Sequence, residues 1–537
     1  MADSSSNTPN IGGSGSTGIL SGSGGSNVTN PSSPDYECPA YREQHARWQR
    51  VEDVREGTDA MRRNRALYLP RFESEDAKDW DARVNMTFAN TDYEQTLTDH
   101  VGLVFAEPPK LEDDVPEEMA SLLEDVDGEG SHWHVFANAA LESGLHLGHV
   151  AIWTDFPAIQ PNYRPRLDEQ QQANLRPYWT LVQAHEIISW RSERIGGVEA
   201  LTQFVRRSHV TIDDGLYGTK PVCQYLVVSQ AVTRDADGFA IGLGAIVWQL
   251  WREHVDATGV RSVVQVAADS IVGPKRIPLR VCYCGPKFGM LHTRPFLYGL
   301  ATTAIEETQV RSDYAAVMHK TNIPVPVIKG LPPGATLDMS NGIGLPENGS
   351  AEYLEPKGTA IPATRQRLAD IGLAIQQQGG VAASGDLAHA RTMTATQAAQ
   401  IARQRNARLS RAARALQDTL EGALADMAAF LKLPSGGSVL VNRDFAGSPV
   451  DPAFVTVCLQ AYKEGAITRD EMRYALQHGE LPEDADPETT AAILDAVDAA
   501  KADAEAQAEA NRRAAAVDDA TTGDPATDGS AATKEAA

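Results

Sequence analysis

Four histidines stand within 18 positions, as His132-Trp-His134 and His146-Leu-Gly-His149. Neutral imidazole is a common zinc ligand, so metal binding is the first chemistry to weigh. The surrounding pattern argues against it. No Cys or carboxylate stands at zinc-protease spacing, and His132 and His134 follow an acidic, glycine-rich turn. Cys282-Tyr-Cys284 lies in an alternating apolar stretch and reads as two thiols on one strand face. The five cysteines are odd in number and scattered, so no disulfide framework is expected. There is no Gly-x-Ser-x-Gly elbow, Walker A loop or dinucleotide fingerprint. Gly242-Leu-Gly244 precedes an apolar strand pattern with no following helix. No residues nominate themselves for catalysis, and neither an enzyme nor a cofactor is expected.

The remaining patterns describe shape. The 537 residues are enough for two to four domains or one elaborate subunit. The net charge is −24, which disfavours tight, broad binding of phosphate backbones. Such a chain can still surround nucleic acid without adhering to it. No basic stretch with an apolar run opens the chain, and no run of about 18 apolar residues occurs. A soluble protein made in a reducing cytoplasm, with no membrane partner, is therefore expected.

Residues 1–40 begin as a Ser/Gly-rich tail of the kind that stays disordered. Helical spacing starts near Tyr41, with Trp48, Val51 and Val54. Residues 64–71 read as a break. Further helices are expected over about 77–85 and 91–105, the latter stopped by Pro108-Pro109. From His149 to Gly285 the period becomes two. Short strands are expected at 150–156, 178–182, 187–190, 201–205, 225–228, 245–251, 263–266 and 279–284, making a mostly antiparallel β-rich domain.

Helical spacing then returns at Arg294-Pro295 and runs to about Lys320. Pro324 and Pro326 open a short β segment, with strands at 325–328 and 352–354. A second helix covers 361–378 and closes at Gly379-Gly380. A loop of small and polar residues, 379–393, leads to a capping box at Thr394-Ala-Thr-Gln397. The helix beyond it carries Leu409, Leu416, Leu420 and Leu424 at spacings of three and four. A β-turn near 442–445 precedes a small helical unit with a second capping box, Thr468-Arg-Asp-Glu471. From Asp451 onward there are 7 basic and 19 acidic residues, half of the net charge. The last stretch, 501–537, is expected to be an acidic Ala-rich tail.

Several segments together resemble tailed-bacteriophage portal proteins, in a subgroup long described only as a domain of unknown function. They include Trp48 to Pro70, Asp99-His-Val-Gly-Leu-Val-Phe-Ala-Glu-Pro-Pro109 and Gly148-His-Val-Ala-Ile-Trp-Thr-Asp-Phe-Pro157. Arg176-Pro-Tyr-Trp179, Glu186-Ile-Ile-Ser-Trp190 and Arg294-Pro-Phe-Leu-Tyr-Gly-Leu-Ala301 continue the series. Ile323-Pro-Val-Pro-Val-Ile-Lys-Gly330, Glu352-Tyr-Leu-Glu-Pro-Lys-Gly358, Thr394-Ala-Thr396 and Glu464-Gly-Ala-Ile-Thr468 complete it. Each piece is short. Their order across roughly residues 40–500 carries the resemblance.

The resemblance implies an α+β subunit that assembles into a ring, usually of about twelve copies, at one capsid vertex. The ring would nucleate head assembly and conduct double-stranded DNA during packaging and ejection. Implied partners are the large terminase subunit, a head-tail adaptor, and the major capsid and scaffolding proteins. The implied parts are a wing (41–293), a first stem helix (294–320), a small β clip (321–360) and a second stem helix (361–378). A channel loop (379–393), a long bracing helix with a β-turn (394–450) and a helical crown (451–500) follow.

Gly379, Gly380, Asp386, His389 and Arg391 then belong to the channel loop, which lacks lysine. Pro324, Pro326, Lys329, Glu352 and Glu355 belong to a clip docking surface. Glu306 and Glu307 would form an acidic channel or stem face. Arg403, Arg405, Arg408, Arg411 and Arg414 would pair between subunits, contact DNA, or form an ordinary helical face with local pairs. Another virion structural protein, such as a minor head or adaptor protein, is the alternative. A hydrolase or metalloenzyme stands further off.

Overall fold

The computed structural model describes residues 30–157, 175–256, 258–322, 325–329, 350–354, 361–379, 395–443, 445, 452–463, 465–478 and 493. Contacts divide the chain into two units, residues 1–443 and 444–537.

The first unit opens with five helices, α1 (Pro39–Glu56), α2 (Thr58–Arg63), α3 (Arg65–Tyr68), α4 (Ala77–Met86) and α5 (Asp92–Val104). A short strand β1 (Lys110–Leu111) and helices α6 (Glu117–Leu123) and α7 (Trp133–Leu147) follow. Strand β2 (His149–Asp155) is the centre of a three-stranded antiparallel sheet between β3 (Tyr178–Gln183) and the later β9 (Leu279–Tyr283).

A five-stranded antiparallel meander lies between β3 and β9 in sequence: β4 (Ile187–Ile195), β5 (Val198–Asp214), β6 (Gly218–Arg234), β7 (Ala240–Val255) and β8 (Arg261–Ile271). The expected strands at 201–205, 225–228, 245–251 and 263–266 are only its apolar segments. The strands run on because each continues to pair with its neighbour, as between Val210 and Val222. Their outer halves hold no fully buried residue from Arg207 to Asp214 of β5 or from Gly218 to Cys223 of β6, so the apolar runs that mark the core stop while pairing persists.

The two sheets share a core. Ala151 and Trp153 of β2 pack with Phe204, Leu226, Val228, Ile246 and Leu250 of the meander. The Trp153 and Phe204 rings meet edge to face at 5.3 Å. Strand residues alternate faces, so Val150 and Ile152 point the other way, and Val150 lies against Gly144 of α7. Covered on both faces, β2 is buried from His149 through Thr154.

Strands β10 (Lys287–Gly289) and β11 (His292–Thr293) lead to helix α8 (Tyr298–Thr321). Strands β12 (Val325–Lys329) and β13 (Ser350–Leu354) pair antiparallel. Helices α9 (Ile361–Gly379) and α10 (Ala395–Leu431) follow, and β14 (Val439–Leu440) pairs back to β1. On α10, Leu409, Ala412, Ala413, Leu416, Leu420, Leu424 and Met427 are buried. The helix packs on β2, β9 and α7. A bidentate pair, Arg280 to Asp426 at 2.6 and 2.7 Å, ties β9 to it. The second unit holds α11 (Pro452–Lys463) and α12 (Arg469–His478) around Cys458, Ile467, Met472 and Ile493. The capping box forms, with Thr468 and Glu471 exchanging backbone-to-side-chain bonds at 2.6 and 3.3 Å.

The helix expected from Arg294 begins four positions later, at Tyr298. Residues 294–297 instead form a seat in which Pro295 and Leu297 are buried. Arg294 N–H donates to Pro286 O at 3.1 Å, and Phe296 N–H to Leu145 O at 3.2 Å. Gly148 O accepts from Cys284 and Gly285 at 3.1 and 2.8 Å. The fully buried Gln44 donates to Leu291 O at 3.1 Å and accepts from Thr293 N–H at 2.9 Å. Gly148 adopts φ +94°, and a Cβ there would lie 2.6 Å from Arg294 O. A Cβ at Gly285 would collide with the same oxygen.

Gly285→Ala is therefore expected to lower unfolding free energy by about 3 kcal/mol or more, since the obstacle is backbone. Gly102→Ala, on a helix with open space around it, should be neutral or slightly stabilising. Denaturant midpoints of the two variants test the contrast.

Candidate functional site

The sequence directs attention to α8, α9 and the strands between them. Apolar residues are spread almost evenly around α8, so it requires neighbours on several sides. Its first half has them. Leu300, Ala301, Ala304, Glu307, Thr308 and Ser312 are buried. Arg50 donates to the Tyr298 hydroxyl at 2.6 Å, and Gln309 to Tyr68 O at 2.8 Å. Helix α4 adds the strongest fastening. Arg83 makes a bidentate pair with Glu75 at 2.8 and 2.9 Å, donates to Pro70 O at 2.8 Å, and reaches Ser312 Oγ at 3.3 Å. Thr87 donates to the same Ser312 hydroxyl at 2.8 Å. Stacking of the guanidinium on Phe72 at 4.6 Å completes its desolvation.

Helix α9 runs back antiparallel to α8. Glu306 pairs with Arg367, whereas Thr303, nearer the start of α8, bonds to Gln378, nearer the end of α9. Ile371, Ile375 and Gly379 are its buried positions. Gly379 abuts Thr96 of α5, where a Cβ would stand 3.0 Å from the hydroxyl. The other ends differ. No described side chain from Asp313 to Asn322, or from Ile361 to Asp370, is fully buried. Val317 is 43% exposed. The β12–β13 hairpin lies between those two bare ends in sequence, and Lys329 and Glu352 on it are exposed. At about 1.5 Å per residue, α8 carries the hairpin roughly 36 Å from the seat.

The expected acidic face divides. Glu306 is half-exposed and bonded to Arg367. Glu307 is 4% exposed, accepts from Arg311 Nε at 2.8 Å, and bonds to Asn90. Burial pushes its carboxyl pKa up, against the pull of Arg311. Glu307 thus fastens α8 to the segment before α5 and presents no open carboxylate. Arg408, Arg411 and Arg414 lie on the exposed side of α10. Arg403 and Arg405 belong to the same helix, and nothing is described of their side chains. Gly380, Asp386, His389, Arg391, Pro324 and Glu355 lie outside the described residues, as does the side chain of Pro326.

The histidines are dispersed among packing roles. His132 caps α7, accepting from His134 N–H at 3.5 Å. His146 bonds to the Tyr93 hydroxyl at 2.9 Å and stands 3.3 Å from the Glu52 carboxylate. His149 bonds to Thr293 Oγ1 at 2.8 Å beside the seat. Cys282 and Cys284 place their sulfurs 3.7 Å apart in the interior. Among the described residues, no three His, Cys, Asp or Glu side chains converge on a metal-sized point. No helix there is long and apolar enough to cross a membrane. The Arg83–Ser312 fastening escaped sequence reasoning because it joins positions with no local pattern in common. Leu-Pro followed by a buried-arginine helix is its only trace.

Two measurements test these fastenings. Arg83→Ala leaves Glu75 without its bidentate partner, and a loss of about 3 kcal/mol is expected, with faster amide exchange in α8. His149 is fully buried, which depresses its pKa to about 3. The unfolded chain takes up that proton near pH 6.5, so this contribution is present above that pH and is lost as pH falls toward 3. Between pH 7 and about 5.5 it amounts to about 1 kcal/mol. His149→Gln should flatten that limb of the stability curve in denaturant titrations.

Residues 296–431, from the seat to the end of α10, match a family described as a domain of unknown function (DUF4055). The match spans about a quarter of the chain. No curated protein sequence matches. Among solved structures, a chain from the neck of a native GTA particle, computed with C12 symmetry, is similar at 12% identity. The alignment covers 73% of this chain and 90% of that one, with a TM-score of 0.35. A chain from the neck of an empty GTA particle, computed with C6 symmetry, gives 12% identity, 77% and 95% coverage, and 0.35. A chain from the virion of a native gene transfer agent particle gives 12%, 73% and 91%, and 0.34.

Proposed function

We propose that this chain is a bacteriophage portal subunit, a virion structural protein that forms a ring at one capsid vertex and conducts DNA. The observation that carries the reading is the α8–hairpin–α9 module. It is held at one end by the seat and the Arg83 fastening, and bare at the other. A helix pair with unburied distal halves is incomplete as a monomer, because helices lacking tertiary contacts are marginal in water. Copies of the same pair around an axis would cover those halves and form the wall of a channel. In this reading α8 and α9 are the stem, the β12–β13 hairpin belongs to the clip, and residues 379–393 are the channel loop.

The net charge of −24 supports passage of DNA without capture. The exposed hairpin residues Lys329 and Glu352 suit exchange of partners, terminase during packaging and an adaptor afterwards. Head nucleation through capsid and scaffolding proteins belongs to the same proposal.

Light scattering on the purified full chain, with negative-stain electron microscopy, is the direct test. A closed ring with a mass near about twelve subunits is expected. A monomer at every concentration would overturn the reading. Lys329→Glu combined with Glu352→Lys should weaken terminase or adaptor binding in pull-downs while the ring mass stays unchanged.

A further inference from the structure

Two patches of opposite charge lie on α10 and on the segment that β14 holds beside it. From Ala395 to Gln417 the helix carries five arginines and no acidic residue. Arg408, Arg411 and Arg414 are exposed, and none makes a hydrogen bond or ion pair with a described residue. The face behind them, from Leu409 to Leu420, is buried, so they are held outward.

The acidic patch is the β1–α6 segment. Between Glu107 and Glu129 the chain carries ten acidic residues and one lysine. Glu112, Asp113, Glu117, Glu118 and Glu124 are exposed and form no ion pair among the described residues. The segment is fixed in place. Lys110 pairs with Leu440, and Asp114 bonds to the Ser438 backbone and hydroxyl, both at 2.8 Å. Gly437 approaches Val115 so closely that a Cβ would stand 2.5 Å from its methyl group. Strand β14 runs back beside Glu421 and Leu424 of α10, so the acidic segment stands along the same helix as the arginines, yet none of these exposed carboxylates forms an ion pair with them among the described residues.

We infer that the two patches join neighbouring copies, the arginine face of one chain receiving the β1–α6 segment of the next. The inference deepens the ring reading and rests on it. Like-charged copies at −24 repel, and a contact between unlike patches is the arrangement that offsets this. Because the patches are different surfaces, the contact is head to tail, the class that closes into rings. A DNA duplex is the other polyanion to weigh. It would meet the repulsion of the whole chain, whereas the β1–α6 segment offers a matching patch already held on a rigid support.

The test uses the full chain. Arg408→Glu/Arg411→Glu/Arg414→Glu and Glu117→Arg/Glu118→Arg are each expected to raise the concentration needed for assembly at least about tenfold, read by mass photometry. Raising salt from about 0.05 to about 0.5 M should weaken the parent in the same direction. The variant carrying both sets of reversals should regain much of the loss, an outcome that misfolding would not give, and circular dichroism checks each fold. If both reversals leave the oligomer mass unchanged at low salt, the interface is overturned and the ring reading stands. If the arginine reversal spares assembly but abolishes retention of a short DNA duplex, the face is a nucleic-acid surface and the inference fails. A parent that never assembles removes the ring reading itself.

Discussion

The carbonyl oxygen of Arg294 lies against Gly148 and Gly285 with no space for a β-carbon at either position. Much of the first unit depends on that backbone contact. It brings the end of α7, the start of β2, the end of β9 and the approach to α8 to one point. Gln44 closes it from α1, and His149 and Thr293 fill the space beside it. Hydrogen bonds buried at such a point are strong in their local low-dielectric setting and expensive to leave unmade. The direction in which α8 leaves the body is set there.

From the seat outward, stability falls. Near it α8 is enclosed by α1, α4, α5 and α9. Past Ser312, Asp313 still lies 3.7 Å from Arg83, but no described side chain from there to Asn322 is fully buried. Local stability follows buried contact, so the root and tip of one helix should open with very different free energies. Arg83–Glu75, beside Ser312, is almost fully desolvated, while Glu306–Arg367, nearer the start of α8, is half in water and contributes little.

Periodicity made the helices legible where one face is buried and the other wet. The spacing of Trp48, Val51 and Val54 located α1, and that of Leu409 to Leu424 located α10. The alternation around Trp153 and Phe204 located the sheets. It failed where pairing continued beyond the core, as in the polar outer reaches of β5 and β6. Helix α7 was hidden because its histidines drew a chemical reading, although Phe136, Ala140, Leu141 and Leu145 fall at helical spacing. The candidate site was legible in outline and not in contact. Glu307 sits in sequence beside Glu306 as a second exposed-looking acid, and only the position of Asn90 reveals that it is enclosed. The closeness of Gly148, Gly285 and Arg294 has no sequence signature, because it arises from three segments meeting.

The pairing of β1 with β14 has a consequence for the order of events during synthesis. Lys110 leaves the ribosome early, and its partner Leu440 emerges only near the end of the described chain. Until then the β1–α6 segment lacks the support that aims it. The β1–α6 segment, made early, is therefore among the last parts of the first unit to be fixed in place.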